Sequence, residues 1–222
     1  MTGTETRLLV LGSVLILEPV NAYQLRRELM TWRVDDWAHM NPGSIYTALR
    51  TLAKQGHLVL HEVPERNRTV SVYTSSESGR AEFERLFALA VTTFDQSSHL
   101  GLYTALSLSG LVTRERMLEL LRRRREVMDE LGVEAEKYSH LIDQDHLPPH
   151  LPMVNRLWRG LAREETDWLS DTIARIEAGE SQFLGEPARC YPQQDDPGWA
   201  IARDRQRYLD VLGAAGKDAD PS

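Results

Sequence analysis

Between Asn41 and Gln55 the chain carries Ser44, Tyr46, Thr47, Arg50, Thr51 and Lys54, and not one acid. If the segment is helical, Ile45, Leu49 and Leu52 form one apolar stripe. Ser44, Thr47, Thr51 and Lys54 then lie opposite it, with Tyr46 and Arg50 beside them. A solvated helix face ordinarily mixes Glu with Lys, because ions four residues apart pair favourably. A surface that must approach phosphates avoids carboxylates instead. It uses short hydroxyls for close backbone contact and Arg or Lys for phosphates and guanine edges. A polar turn downstream, "PERNR", adds Arg66 and Arg68 for further phosphate contacts, with Glu62 and Glu65 partly offsetting them. Two readings stand at this point: a face for nucleic acid, or an ordinary solvated helix.

The elements that would position these side chains are legible on both sides. Asn41 caps the helix and Pro42 occupies its first position, where a missing N–H costs nothing. Gly56 ends it at the left-handed position after the last turn. Upstream, a first helix runs from about Thr6 to Leu17 and stops at Pro19. Asn21 caps a second, "AYQLRRELMTW", with Ala22, Leu25, Leu29 and Trp32 at helical spacing. The stretch "RVDDWAH" reads as a loop. Downstream, "HLVLHEV" and "TVSVYT" are β-branched, partly alternating strands joined by the polar turn. Two strands alone are marginal, so this hairpin must lean on helices. Ser76 then caps a long helix whose buried face is Phe83, Leu86, Phe87, Ala90 and Phe94. Three short helices and a hairpin make a winged helix-turn-helix, in which the third helix enters the major groove and the hairpin reaches the flanking backbone.

The second half is helical throughout, which makes the fold class mainly α. "HLGLYTALSLSGL" is short and apolar. From Thr113 to about Gln144, Met117, Leu121, Arg124, Met128, Leu131, Ala135, Tyr138 and Ile142 follow heptad steps with one charged member. At 1.5 Å per residue this helix is roughly 45–50 Å long. It exceeds what a small winged domain covers, so part of its stripe calls for a second copy of the chain; the alternative is a hairpin closed within one chain. Pro148 and Pro149 break it. A further helix carries Val154, Leu157, Trp158, Leu161, Trp168, Leu169, Ile173 and Ile176 as its stripe. Beyond Gly179 the chain turns rich in Gly, Pro and acids, with one short helix in "WAIARDRQRYLDVLG". The expected organisation is a winged helix-turn-helix DNA-binding domain over 1–97, a helical dimerisation domain over 98–180, and a partly flexible extension over 181–222.

Composition narrows the functional classes. The 222 residues carry a net charge of -7, so any basic face is local. The single cysteine, Cys190, allows no internal disulfide, which suits a reducing compartment and a cytoplasmic protein. The apolar run Leu8–Leu17 is too short to span a bilayer, and its flanks do not suit a signal peptide. No membrane role is expected. His146 and His150 are four apart, but Pro148 and Pro149 forbid the helix that would align them on a metal. Glu164 and Glu165 adjoin on a helix and point apart. There is no phosphate-binding glycine loop and no nucleophile elbow. An enzyme, a metal and a cofactor are therefore not expected. The rival to DNA binding is a winged module that binds another protein.

The run "PGSIYTALRTLAKQGHL", the hairpin after it and "YTSSESGRAEF" resemble the PadR family of bacterial transcriptional regulators. "NAYQLRREL" resembles the family's second helix, with Asn21-Ala22 where Gly is common, and "EETDWLSDTIARIEAG" resembles the closing helix of members with a helical C-terminal domain. The resemblance covers roughly Arg7 to Glu180. It implies a cytoplasmic homodimeric repressor acting on double-stranded DNA with a palindromic operator. It also implies a small aromatic or drug-like effector held between the DNA-binding and dimerisation parts. Trp158, Trp168, Tyr103, Tyr138 and His99 are candidates for such a pocket, but each reads first as a core residue, because aromatics at helical spacing ordinarily belong to a core, and none is assigned as a site. Two departures stand out. Ala53-Lys54 replaces the family's frequent Glu-Lys, which removes an acid from the face. Ser75 stands where an aliphatic is usual, so the corner between hairpin and helix is expected to pack differently.

Overall fold

The structure, a computed structural model, describes residues 3–65, 68–142, 148, 150–188 and 198–218. In chain order its elements are α1 (Gly3–Leu17), β1 (Val20–Asn21), α2 (Ala22–Thr31), α3 (Val34–Trp37), α4 (Pro42–Lys54), β2 (Leu58–Glu65), β3 (Arg68–Ser75), α5 (Glu77–Thr92), α6 (Leu100–Ser107), a 3-10 turn (Ser109–Leu111), α7 (Arg114–Ile142), α8 (Leu151–Glu177) and α9 (Gly198–Asp218). They form two compact units, Met1–Phe87 with Ala188–Ser222, and Ala88–Pro187. No helix among the described residues is long and apolar enough to cross a membrane.

The first unit is a winged helix-turn-helix. In α1 every residue from Leu8 to Val14 is buried, as a helix apolar on all sides must be. Around it pack Leu25 and Leu29 of α2, Ile45, Leu49 and Leu52 of α4, and Phe83, Leu86 and Phe87 of α5. Ala90, expected with them, is half-buried, and Phe94 follows the end of α5. The expected caps are in place. Asn21 Oδ1 accepts from Gln24 N at 2.9 Å, and Gln24 Oε1 accepts from Asn21 N at 3.1 Å, a reciprocal capping box. Asn41 Oδ1 accepts from Gly43 N at 2.8 Å, and Gly56 takes the left-handed φ of 78°.

Three features differ from the sequence expectation. The stretch read as a loop contains the single turn α3, whose Val34 is buried with Ala38 and Met40. One turn is too short to register as a helical period. The sheet has three strands in the order β1-β3-β2, because Val20 pairs with Tyr73 and Asn21 with Val72. Two residues between Pro19 and a helix cap carry no alternation to read. The hairpin also runs further than expected, from Leu58 opposite Ser75 to Glu65 opposite Arg68.

The hairpin joins α5 through a crowded polar corner. Ser76 Oγ donates to the Gly56 carbonyl at 2.6 Å and accepts from Gly79 N at 3.0 Å. A Cβ at Gly79 would lie 1.9 Å from the His57 carbonyl oxygen, so only glycine permits this approach. Ser75 donates through both its backbone N and its Oγ to the Glu18 carboxylate, and Arg80 Nη2 donates to the same group at 2.8 Å. Ser75 is thus hydrogen-bonded to a carboxylate that Arg80 pairs with.

Helix α9 also belongs to the first unit. Ile201 and Tyr208 are its buried residues. The Tyr208 ring packs with Val63 and Val72 of the hairpin, and Val211 and Leu212 extend the cluster. Its hydroxyl accepts from Asn21 Nδ2 at 3.0 Å, and Asp204 accepts from Gln24 Nε2 at 2.6 Å. The support that a two-stranded hairpin needs therefore comes partly from the far end of the chain.

In the second unit, α7 packs along α8. Met117, Leu121, Arg124 and Met128 of the heptad seam are buried, while Leu131 is 41% exposed. Ala135, Tyr138 and Ile142 lie outside the residues whose side chains are described. The one charged seam member, Arg124, is 1% exposed. Its Nε donates to Glu165 at 2.5 Å, and its Nη1 donates to the Val91 and Thr93 carbonyls at 2.9 and 2.7 Å. The Phe94 ring lies under its guanidinium, and His99 Nε2 meets the second Glu165 oxygen at 3.0 Å. The stripe of α8 changes character along its length. Leu169 and Ile176 are buried, whereas Leu157, Trp158 and Leu161 are exposed.

Candidate nucleic-acid interface

Helix α4 turns the face read from the sequence away from the core. Ile45, Ala48, Leu49 and Leu52 are buried. Thr47, Arg50, Thr51 and Lys54 are exposed, and Ser44 and Tyr46 are half-buried. Among the described residues neither Arg50 nor Lys54 forms a salt bridge, so both cations are available to an external anion. The Thr51 hydroxyl donates to the Thr47 carbonyl at 2.8 Å, and that of Thr47 donates to Gly43 at 3.3 Å. With their hydrogens occupied, the two oxygens offer lone pairs to base amino groups. The far end of the helix is secured by Arg7 of α1, whose Nη1 donates to Gln55 Oε1 at 2.5 Å and whose Nη2 reaches Glu82 at 3.1 Å.

Arg50 stands near the sheet. Burial pushes the Tyr73 phenol up, and the positive charge of Arg50 opposes that shift.

The wing is less free than its sequence implied. Arg68 is exposed but engaged: its Nη2 and Nε donate to Glu65 Oε2 at 2.8 and 3.2 Å. The other oxygen, Oε1, accepts from Arg207 Nη2 of α9 at 2.5 Å. The Arg68 hydrogen bond is the largest cause holding the Glu65 carboxyl below its usual range; burial opposes it, and the charges of Arg207 and Arg68 add to the lowering. Arg66 lies outside the described residues. Sequence reasoning missed Arg207, which joins the wing from 142 positions away. The available signal was "ARDRQRYLDVL", which alternates arginines before an apolar Tyr208, Val211 and Leu212.

Among the described residues no three His, Cys, Asp or Glu side chains converge as a metal site. His146 and Cys190 lie outside those residues. The second unit holds a cavity of about 570 Å³ lined by Phe94, Met128, Leu131, Trp158, Arg159 and Arg163, among others. Of the aromatics considered from the sequence, Trp158 lines it and Trp168, Tyr103 and His99 do not.

Residues 10–85 match the model of the transcriptional regulator PadR-like family. Bacillus subtilis PadR in complex with operator DNA is a solved structure similar to this chain at 16% sequence identity and a TM-score of 0.31. The alignment covers 77% of this chain and 98% of that one. No curated protein sequence matches the chain.

Proposed function

We propose that this chain, whose residues 10–85 match the model of the transcriptional regulator PadR-like family, is a ligand-responsive repressor that binds a palindromic operator as a homodimer. The observation that carries the DNA-binding part is the acid-free exposed face of α4. Among the described residues Arg50 and Lys54 form no salt bridge there, and Thr47 and Thr51 are exposed. In this reading α4 enters the major groove, Arg50 takes a guanine edge or a phosphate, and Ser44, Tyr46, Thr47, Thr51 and Lys54 fix the helix against backbone and bases. Arg66 and Arg68 serve the flanking phosphates.

Dimerisation is supported by apolar surface that one chain leaves uncovered. Leu131 and Val133 of α7, and Met153, Leu157, Trp158 and Leu161 of α8, are each 41–62% exposed. Apolar exposure of this kind on two helices supports an interface, and a second copy offers a surface of the same chemistry. Two copies place two recognition helices on half-sites about 34–36 Å apart or a multiple of that. The cavity beside Trp158 supports a small aromatic or drug-like effector, because it adjoins the same helices a partner would cover. The test is a titration of duplex DNA selected from a random pool by the full-length protein. Selected sequences should share an inverted repeat, and sedimentation should give a dimer at micromolar concentration. Selection that returns no common sequence removes the operator reading; a strict monomer removes the palindrome.

A further inference from the structure

We propose that Arg207 of α9 is a positioning residue for the wing: it holds Glu65 so that Arg68 can move from that carboxylate to a DNA phosphate. The inference rests on the reading that the wing meets duplex DNA.

The geometry is a three-member cluster on one carboxylate. Glu65 presents Oε2 to Arg68 and Oε1 to Arg207. The two guanidiniums are held very differently. The Arg68 side chain is 75% exposed, and its only salt bridge among the described residues is the one to Glu65, three positions away. Arg207 is anchored on several sides. Its guanidinium lies over the Tyr208 ring at 5.1 Å and also reaches Asp204 at 3.3 Å. The helix beneath it is fixed by buried Ile201 and Tyr208 and by the hydrogen bonds to Asn21 and Gln24. Arg207 is therefore the stationary partner, and Arg68 is the one that can leave.

The consequence follows from charge. A wing meeting a phosphate with a lone carboxylate beside its turn would be repelled. An arginine paired only with that carboxylate would exchange one anion for another and leave the first bare beside the phosphate. The exchange would then gain little. With Arg207 already on Oε1, Glu65 keeps a cation when Arg68 departs, and the repulsion is reduced before DNA arrives. The tail helix thus acts on DNA affinity without itself touching DNA. It also explains how an acid is tolerated beside the turn of a wing that binds a polyanion.

The test uses the full chain and a fluorescently labelled mixed-sequence duplex, because phosphate contacts do not depend on sequence. Binding of wild type, R207Q, E65Q and the R207Q/E65Q double variant is followed by anisotropy over a salt series, with thermal melting alongside. R207Q should bind several-fold more weakly, and its salt slope should fall by about one, the loss of one phosphate contact. E65Q should bind at least as tightly as wild type. The double variant should regain the affinity and slope of wild type, because removing the acid frees Arg68 without Arg207. If Arg207 only docked α9, the double variant would stay as weak as R207Q, and the proposal would be overturned. R207Q that binds as wild type does would overturn it equally. Should R207Q melt early, E65Q decides alone, and weaker binding by E65Q refutes the idea. Failure of the wild type to bind duplex DNA would instead remove the DNA reading itself, a result distinct from either of these.

Discussion

Replacing Arg124 by Met should destabilise the second unit by about 3–5 kcal/mol, the cost of breaking a buried pair from one side. The side chains of Arg124 and Glu165 are 1% and 6% exposed. Met matches the arginine stem in length, so the loss is electrostatic rather than a cavity. It strands the Glu165 carboxylate with only His99 Nε2 at 3.0 Å, and leaves the Val91 and Thr93 carbonyls without their shared donor. Each orphaned buried acceptor costs about 1–3 kcal/mol, and these costs overlap rather than add. Glu165→Gln is milder, about 1.5–3 kcal/mol, because the amide oxygen still accepts from Arg124 and the two carbonyls keep their donor. Arg124→Met combined with Glu165→Leu should recover most of the single loss, since no buried charge remains. Urea denaturation of wild type and the three variants at pH 7 measures these differences, with unchanged slopes confirming that the same surface unfolds. A cost below about 1 kcal/mol for Arg124→Met would show that water reaches the pair and that the burial argument is wrong. A double variant no better than Arg124→Met would show that the carbonyl contacts, not the carboxylate, carry the effect.

Three further outcomes follow from the first unit. Leu49→Ala removes a side chain that is 1% exposed beneath α4 and should cost about 2–5 kcal/mol in a melting experiment; a variant that melts as wild type but fails to bind DNA would mean that α4 is turned the other way. Gly79→Ala drives a methyl against the His57 carbonyl and should destabilise by about 1–3 kcal/mol as the corner is forced open, whereas unchanged melting would refute the close approach. The Glu82 carboxyl is lowered from 4.5 to about 2 by Arg85 first and by Arg7 second. Its folded value is depressed, so its contribution is complete above pH 4.5 and is lost as pH falls toward 2. Screening at the exposed Arg85 limits it to about 1–2 kcal/mol, and Glu82→Gln should flatten stability over that window.

The parts of this fold that were legible are those written locally. Asn21, Asn41 and Ser76 cap the helices they were expected to cap, because a cap needs only its own three following residues. The stripe Ile45, Leu49 and Leu52 assigned the buried side of α4, and with it the exposed Thr47, Arg50, Thr51 and Lys54. What sequence could not give were relations across distance. Arg124 read as a flaw in a heptad, since its partner Glu165 sits on another helix. Arg207, which shares the Glu65 carboxylate with Arg68, arrives from α9 and had no place in the reading of the wing. The two-residue β1 and the single turn α3 are shorter than any period that could announce them.

The central claim is that the acid-free face of α4 binds the phosphates and base edges of duplex DNA. Its most direct test is the salt dependence of operator binding by wild type and by the Arg50→Ala/Lys54→Ala variant, at matched melting temperature. Wild-type affinity should fall steeply and linearly in log salt, because each phosphate contact releases counterions. If both side chains meet phosphate, the variant's slope should be smaller by about two. If Arg50 instead takes a guanine edge, the slope should drop by about one, and discrimination at one base pair should relax by about 1–3 kcal/mol. Duplex binding that is flat with salt, or a variant that matches wild type in both affinity and slope, would contradict the account.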